Sequence, residues 1–194
     1  MRKRIFCACL IFICFTFFAC ESFKGEQPKT ESELILVQNE YYTIKKKNNE
    51  YIGMIYDVNG NIMKKEIFKK EPRVRLVSPE IVELNNGGGN ETWTIFFDVA
   101  KLLTSPVYSN VSLIYINNEK MIVYMDFIDG ALKLVIRDIF DKKNYYREIV
   151  RDFSEVAIPN DALINVKVIT DNILRITYLV GDDYTEKEED IALV

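Results

Sequence analysis

Aspartates recur in pairs along this chain, as Asp126 with Asp129 and as Asp138 with Asp141. Two carboxylates flanking a glycosidic bond are the minimal equipment of a glycosidase. Each pair here brackets two apolar residues, and aspartate in that position more commonly makes the turn at a strand end. Glu186, Glu188, Glu189 and Asp190 follow Gly181, Asp182 and Asp183. They suit either a divalent cation or a charged edge hairpin that discourages further strand pairing, and the hairpin is the expectation. Asp57, Asn59 and Asn61 have the spacing that opens an EF-hand loop. Ile62 stands where that loop needs glycine and Phe68 where it needs glutamate, so no calcium site follows. No histidine occurs in the 194 residues. Ser-His-Asp and Cys-His nucleophile pairs are thereby excluded, as are imidazole metal sites. No glycine-rich phosphate loop occurs either. Any catalysis would fall to carboxylates, tyrosine, lysine or a bound hard cation. No catalytic, cofactor-binding or metal-ligating residue is assigned, and no cofactor is expected.

Three other features suit recognition better than reaction. Residues 85–90 read Asn-Asn-Gly-Gly-Gly-Asn. The glycines free the backbone to form an anion nest, or simply a flexible connection between strands, and the connection is preferred. Asn90-Glu91-Thr92-Trp93 is similar to the tail of a sialidase Asp-box, but Gly88 and Asn86 occupy the places of its Asp and Ser, which rules the box out. Lys64, Lys65, Lys69, Lys70, Arg73 and Arg75 form one basic cluster, suited to anionic polymer or lipid and equally to edge protection. On a strand, Lys64 would share a face with Glu66, and Lys65 with Ile67. Tyr41-Tyr42 and Tyr145-Tyr146 place adjacent rings on opposite faces of a strand. One of each pair is then exposed for glycan stacking or protein contact.

The elements that must position these residues read as strands. Trp93, Ile95, Phe97 and Val99 alternate with Thr92, Thr94 and Asp98; Leu132, Leu134 and Ile136 with Lys133 and Arg137; Ile149 and Phe153 with Glu148 and Asp152; and Leu174, Ile176 and Tyr178 with Arg175 and Thr177. Period two marks a strand with one buried face. Residues 112–116 and 121–127 are more uniformly apolar, as strands covered on both faces are. Asn59-Gly60, residues 117–119, Asp129-Gly130 and Asp171-Asn172 supply tight turns. No twelve-residue stretch has helical periodicity. Residues 92–193 give about eight strands and residues 34–85 five or six. The expectation is a single all-β domain over residues 34–194, an antiparallel meander of propeller-like cadence, with a large β-sandwich or barrel as the alternative.

All four cysteines, Cys7, Cys9, Cys14 and Cys20, lie in the first twenty residues. Arg2, Lys3 and Arg4 precede an apolar run over residues 5–19, which suits a secretory h-region and is short for a membrane span. The run ends in Phe17-Phe18-Ala19-Cys20. This resembles the signal peptide of bacterial lipoproteins, in which a small residue precedes a cysteine that becomes the lipidated first residue of the mature protein. The resemblance implies cleavage after residue 19, a lipid on Cys20, and an extracytoplasmic domain anchored to the membrane of the cell envelope. Residues 21–33 are polar and read as a flexible tether spanning roughly 20 Å. The mature domain would then hold no free thiol and no disulfide. About 175 residues suffice for a core without one.

Charge is uneven. Residues 34–80 carry +3 and residues 81–194 carry −8. An acidic exported protein is a poor nucleic-acid binder, since phosphate contacts need a basic surface, and no nucleic-acid partner is expected. Residues 93–99, with Asp138-Ile139-Phe140-Asp141 and Tyr145-Tyr146, resemble small bacterial lipoproteins of unassigned function over residues 85–194. That resemblance implies no activity and transfers no site residue. The expectation is a non-catalytic binding or structural module of the envelope, with a protein or glycan as partner. The alternatives are an inhibitor or immunity-type partner of a secreted effector, with residues 85–90 as the inserting loop, and a carboxylate-dependent glycan-active enzyme. A transport-type binding protein is disfavoured, since these are usually larger and α/β.

Overall fold

The computed structural model describes residues 33–87, 92–109, 111–116 and 119–193. Cys20 and the tether lie outside the described residues. Glu33–Val194 form one compact unit. It is all-β, with a single 3₁₀ turn at Pro159–Ala162 and no longer helix among the described residues. The strands form four antiparallel sheets, none closed into a barrel.

The sheets follow one another along the chain as meanders. The first holds β1 (Leu34–Gln38), β2 (Tyr42–Lys47), β3 (Glu50–Tyr56) and β4 (Ile62–Phe68). The second holds β5 (Arg73–Ser78), β6 (Ile81–Gly87) and β7 (Thr92–Asp98), with β8 (Leu103–Thr104) and β9 (Tyr108–Ser109) both pairing with β7. The third holds β10 (Ser112–Ile116), β11 (Glu119–Ile128), β12 (Ala131–Asp138) and β13 (Tyr146–Val150). The fourth holds β14 (Leu163–Thr170), β15 (Ile173–Val180) and β16 (Thr185–Ala192).

Each sheet buries a face against the next. Ile55 and Phe68 of the first meet Val82, Leu84, Ile95 and Phe97 of the second. Ile81 and Phe96, on the opposite face of the second sheet, meet Ile122 of the third. Met121, Val123, Met125, Leu134 and Ile136 of the third meet Leu174, Ile176, Tyr178 and Ile191 of the fourth. The antiparallel meander is therefore present as sandwich-like packing of sheet on sheet. No buried cluster joins the first sheet to the fourth among the described residues.

Register follows from turn chemistry. Asp129 (φ 54°) and Gly130 (φ 78°) both take the left-handed conformation that a two-residue hairpin of matching twist requires. This sets Ile128 opposite Ala131, hence Asp126 opposite Lys133 and Ile122 opposite Arg137. At the β3–β4 turn, the Asp57 carboxylate accepts from the amides of Asn59 and Asn61 and from the Asn61 side chain, at 2.8–2.9 Å. Those bonds, led by the Asn61 side chain, hold its carboxyl below the usual range. Gly53 sits mid-strand because a Cβ there would stand 2.9 Å from the Phe68 ring.

Two expectations need correction. The alternation in β7 suggests one buried face. Thr94 and Asp98 are buried as well, since β7 lies in the middle of a sheet covered on both sides. Tyr41 and Tyr42 do not split between core and solvent. Both are half-buried against the same core, because Tyr41 precedes the strand and strand parity does not reach it. Tyr145 and Tyr146 do split. The first packs into the core of sheets three and four, and the second is exposed.

Candidate functional site

A cleft of about 480 Å³ opens where the second sheet meets the third, beside the 3₁₀ turn. It is of the size that small-molecule sites occupy. Its floor is the face of β11 and β12 that turns away from the fourth sheet. Successive residues of a strand point to opposite faces, so Tyr124 and Asp126 share this face with Arg137.

One wall is an interrupted edge strand. β8 and β9 pair with different ends of β7 and are separated by residues 105–107, where Pro106 has no amide to give the ladder. Ser105 repairs the gap. Its Oγ accepts the Phe96 amide at 2.9 Å and donates to the Pro106 carbonyl at 2.7 Å. The chain then delivers Tyr108 into the junction. The opposite wall is held by Asn160 of the 3₁₀ turn. Its side-chain oxygen accepts the Met125 amide at 2.7 Å, and its side-chain nitrogen donates to the Ser109 carbonyl at 3.0 Å. One side chain thus ties the turn to both β11 and β9.

Aromatic rings order the interior. Phe96, Tyr108 and Tyr124 form a tilted series, with centroid separations of 6.3 and 5.9 Å. The Tyr108 hydroxyl donates to the Ile139 carbonyl at 2.5 Å. The Arg137 guanidinium lies over the Tyr108 ring, 5.5 Å from its centroid, and its Nε donates to the Asp138 carbonyl at 3.1 Å. Burial pushes the Tyr108 phenol up to about 12, with Arg137 pulling the other way. The Tyr124 phenol is also raised, chiefly by burial. Both stay protonated at neutral pH, so they act as donors and ring surfaces rather than as general bases.

Charge partners around the site are unequal. On the same sheet face, Lys133 reaches Glu148 at 2.7 Å and Asp129 at 3.4 Å, and Tyr146 donates to Glu148 at 2.8 Å. Lys133, more than Tyr146, holds the Glu148 carboxyl low. Arg137 has no acidic side chain within ion-pair distance among the described residues.

The residues singled out in the sequence take other places. Asp126 lies in the cleft and Asp129 in the adjoining hairpin turn. Asp138 accepts the amides of Phe140 and Asp141 at 2.8 Å, and Asp141 accepts the Lys143 amide at 2.9 Å, so that pair builds a turn. The acidic strand β16 is matched by arginines: Arg175 pairs with Asp190 and Glu188, and Arg151 with Glu189. No group of three or more acidic or cysteine side chains converges as a metal site among the described residues. Asn85 and Asn86 belong to the β6–β7 ladder, and residues 88–91 lie outside the described residues. Lys64 does share a face with Glu66, at 3.1 Å. Tyr108, Tyr124, Arg137 and Asn160 are the site residues that sequence reasoning did not single out.

Comparisons with protein-family models, with curated proteins and with solved structures find no match.

Proposed function

We propose that this chain is a non-catalytic binding module of the bacterial cell envelope, lipid-anchored through Cys20 and tethered by residues 21–33. Its ligand, an envelope glycan or protein, sits in the cleft between the second and third sheets. The observation that carries this reading is the cleft itself. It combines a ring surface on Tyr124, a positioned cation on Arg137 and polar groups at its rim. The phenols within it stay protonated, which argues against a general base there. The Ala19-Cys20 junction and the polar stretch after it support the address.

Cross-linking in cells tests the binding role. A photoreactive residue at Val107, on the exposed rim of the cleft, is expected to capture a ligand. The same probe at Ile169 on β14 is expected to capture none. Equal capture at the two positions, or capture at Ile169 alone, contradicts the assignment.

A further inference from the structure

We propose that the cleft takes a saccharide bearing a carboxylate, with the acid group seated on Arg137 and a sugar ring on Tyr124. The inference rests on the binding-module reading above and names its ligand class.

The argument begins with charge. Lys133, Arg151 and Arg175 each meet a carboxylate of the protein within 3 Å. Arg137 meets none within ion-pair distance among the described residues. Its Nε donates to the Asp138 carbonyl, its side chain also bonds the Tyr124 phenol, and the forked guanidinium lines the cleft. That fork matches a carboxylate through two parallel bonds, which a lysine cannot do. The Tyr108 ring beneath it, itself held by the Ile139 carbonyl, keeps the group in place before any ligand arrives. A preset cation loses less side-chain freedom on binding.

The remaining surfaces favour a sugar. Tyr124 is half-exposed on the cleft floor, and a ring face of that kind packs on the C–H face of a pyranose. Ser109 and Asp126 line the rim and offer polar atoms to hydroxyl groups. Asp126 lies four residues along β11 from Ile122, the partner of Arg137. At about 3.4 Å per residue the two charged rows are roughly 14 Å apart. Acid at one end and hydroxyls at the other therefore fix the ligand's direction, since a carboxylate beside Asp126 would be repelled. One arginine can offset a single carboxylate, whereas polyphosphates and nucleic acids need several cations, which the −8 borne by residues 81–194 does not supply.

Calorimetric titration of the full-length protein in non-ionic detergent tests the proposal. The probes are glucuronic acid, glucose, a short peptide with a free C-terminal carboxylate, and inorganic phosphate. Glucuronic acid is expected to bind at least tenfold tighter than each of the other three. Arg137→Gln is expected to weaken it tenfold or more, Tyr124→Ala to a similar degree, and Arg137→Lys to an intermediate degree. An unchanged thermal midpoint in Arg137→Lys shows that fold loss is not the cause. Equal binding of glucose removes the acid-group claim. Tighter binding of the peptide or of phosphate removes the saccharide. Indifference to Arg137→Gln removes the seat. If glucuronic acid fails while Val107 still captures a ligand in cells, the ligand class falls and the binding module stands. If both fail, both readings fall.

Discussion

Arg137 and Tyr108, twenty-nine positions apart in the chain, are stacked with the guanidinium carbon 5.5 Å from the ring centroid. Tyr108 comes from the broken edge of the second sheet and Arg137 from β12 of the third, so the contact joins two sheets at the cleft. The ring and the hydroxyl of Tyr108 have separable duties. Tyr108→Phe keeps the ring under Arg137 and loses the bond to the Ile139 carbonyl. It is expected to cost about 1 kcal/mol of stability, within the ordinary range for one hydrogen bond, and to weaken ligand binding far less than loss of the ring. Tyr108→Ala removes the platform as well, at about 3–5 kcal/mol, and is expected to abolish binding. Urea unfolding and calorimetry on the two variants check both statements.

Asn160 is the clasp of the cleft wall. Asn160→Ala leaves the Met125 amide and the Ser109 carbonyl without their side-chain partner. The expected loss is about 1–3 kcal/mol, the range for an unsatisfied backbone group. Hydrogen exchange is expected to quicken at Met125, Ala157, Ile158 and Asn160. Unchanged protection there would show that the turn is held by other contacts.

The core between the first and second sheets is closed over Phe97, which is fully buried. Phe97→Ala is expected to destabilise by about 3–5 kcal/mol. Phe127, also aromatic but 55% exposed at the end of β11, is expected to tolerate the same change within about 0.5 kcal/mol. Denaturant midpoints of the two variants decide this.

Acid sensitivity has a named source. Arg151, and after it Tyr178, hold the Glu189 carboxyl down from 4.5 to about 2. A carboxyl with a depressed folded-state pKa binds fewer protons folded than unfolded across that interval, so stability rises with pH there. The contribution is complete above about pH 4.5 and is lost as pH falls towards 2. Glu189→Gln is expected to lower stability at pH 7 and to flatten the profile between pH 4.5 and 2. A variant profile as steep as the parent's in that window would contradict this. Burial raises the Tyr178 phenol as well, with the Glu189 bond adding to it. That share of stability is present at neutral pH and lost only above the ordinary phenol range.

The fold is legible in the sequence wherever a turn fixes a register. Asp129-Gly130 sets the pairing of β11 with β12. Arithmetic from that turn already places Tyr124, Asp126 and Arg137 on one face, opposite the Leu134 and Ile136 face. Tyr108 and Asn160 are not legible in this way. Tyr108 reaches the cleft because Pro106 interrupts an edge strand, and Asn160 because its side chain bonds a β11 amide 35 positions away. Both are long-range outcomes with no local pattern. The double burial of β7 escapes period-two reasoning for a related reason. Thr94 and Asp98 read as solvent-facing, but Thr94 accepts from Asn85 and Asp98 from the Lys101 amide, which lets them sit under a neighbouring sheet.

The address has its own test. Cys20→Ser is expected to leave an unprocessed precursor that takes up no radiolabelled fatty acid. Label on that variant would contradict lipidation at Cys20.

The most direct test of the central claim is a map of amide shifts in the domain as envelope glycan is added. The account predicts shifts confined to residues 107–109 and 124–126 and to Ala157, Ile158, Asn160 and Arg137, all lost in Tyr124→Ala. Shifts centred instead on the lysines of β2 and β4, or on the outer face of β14–β16, would contradict it.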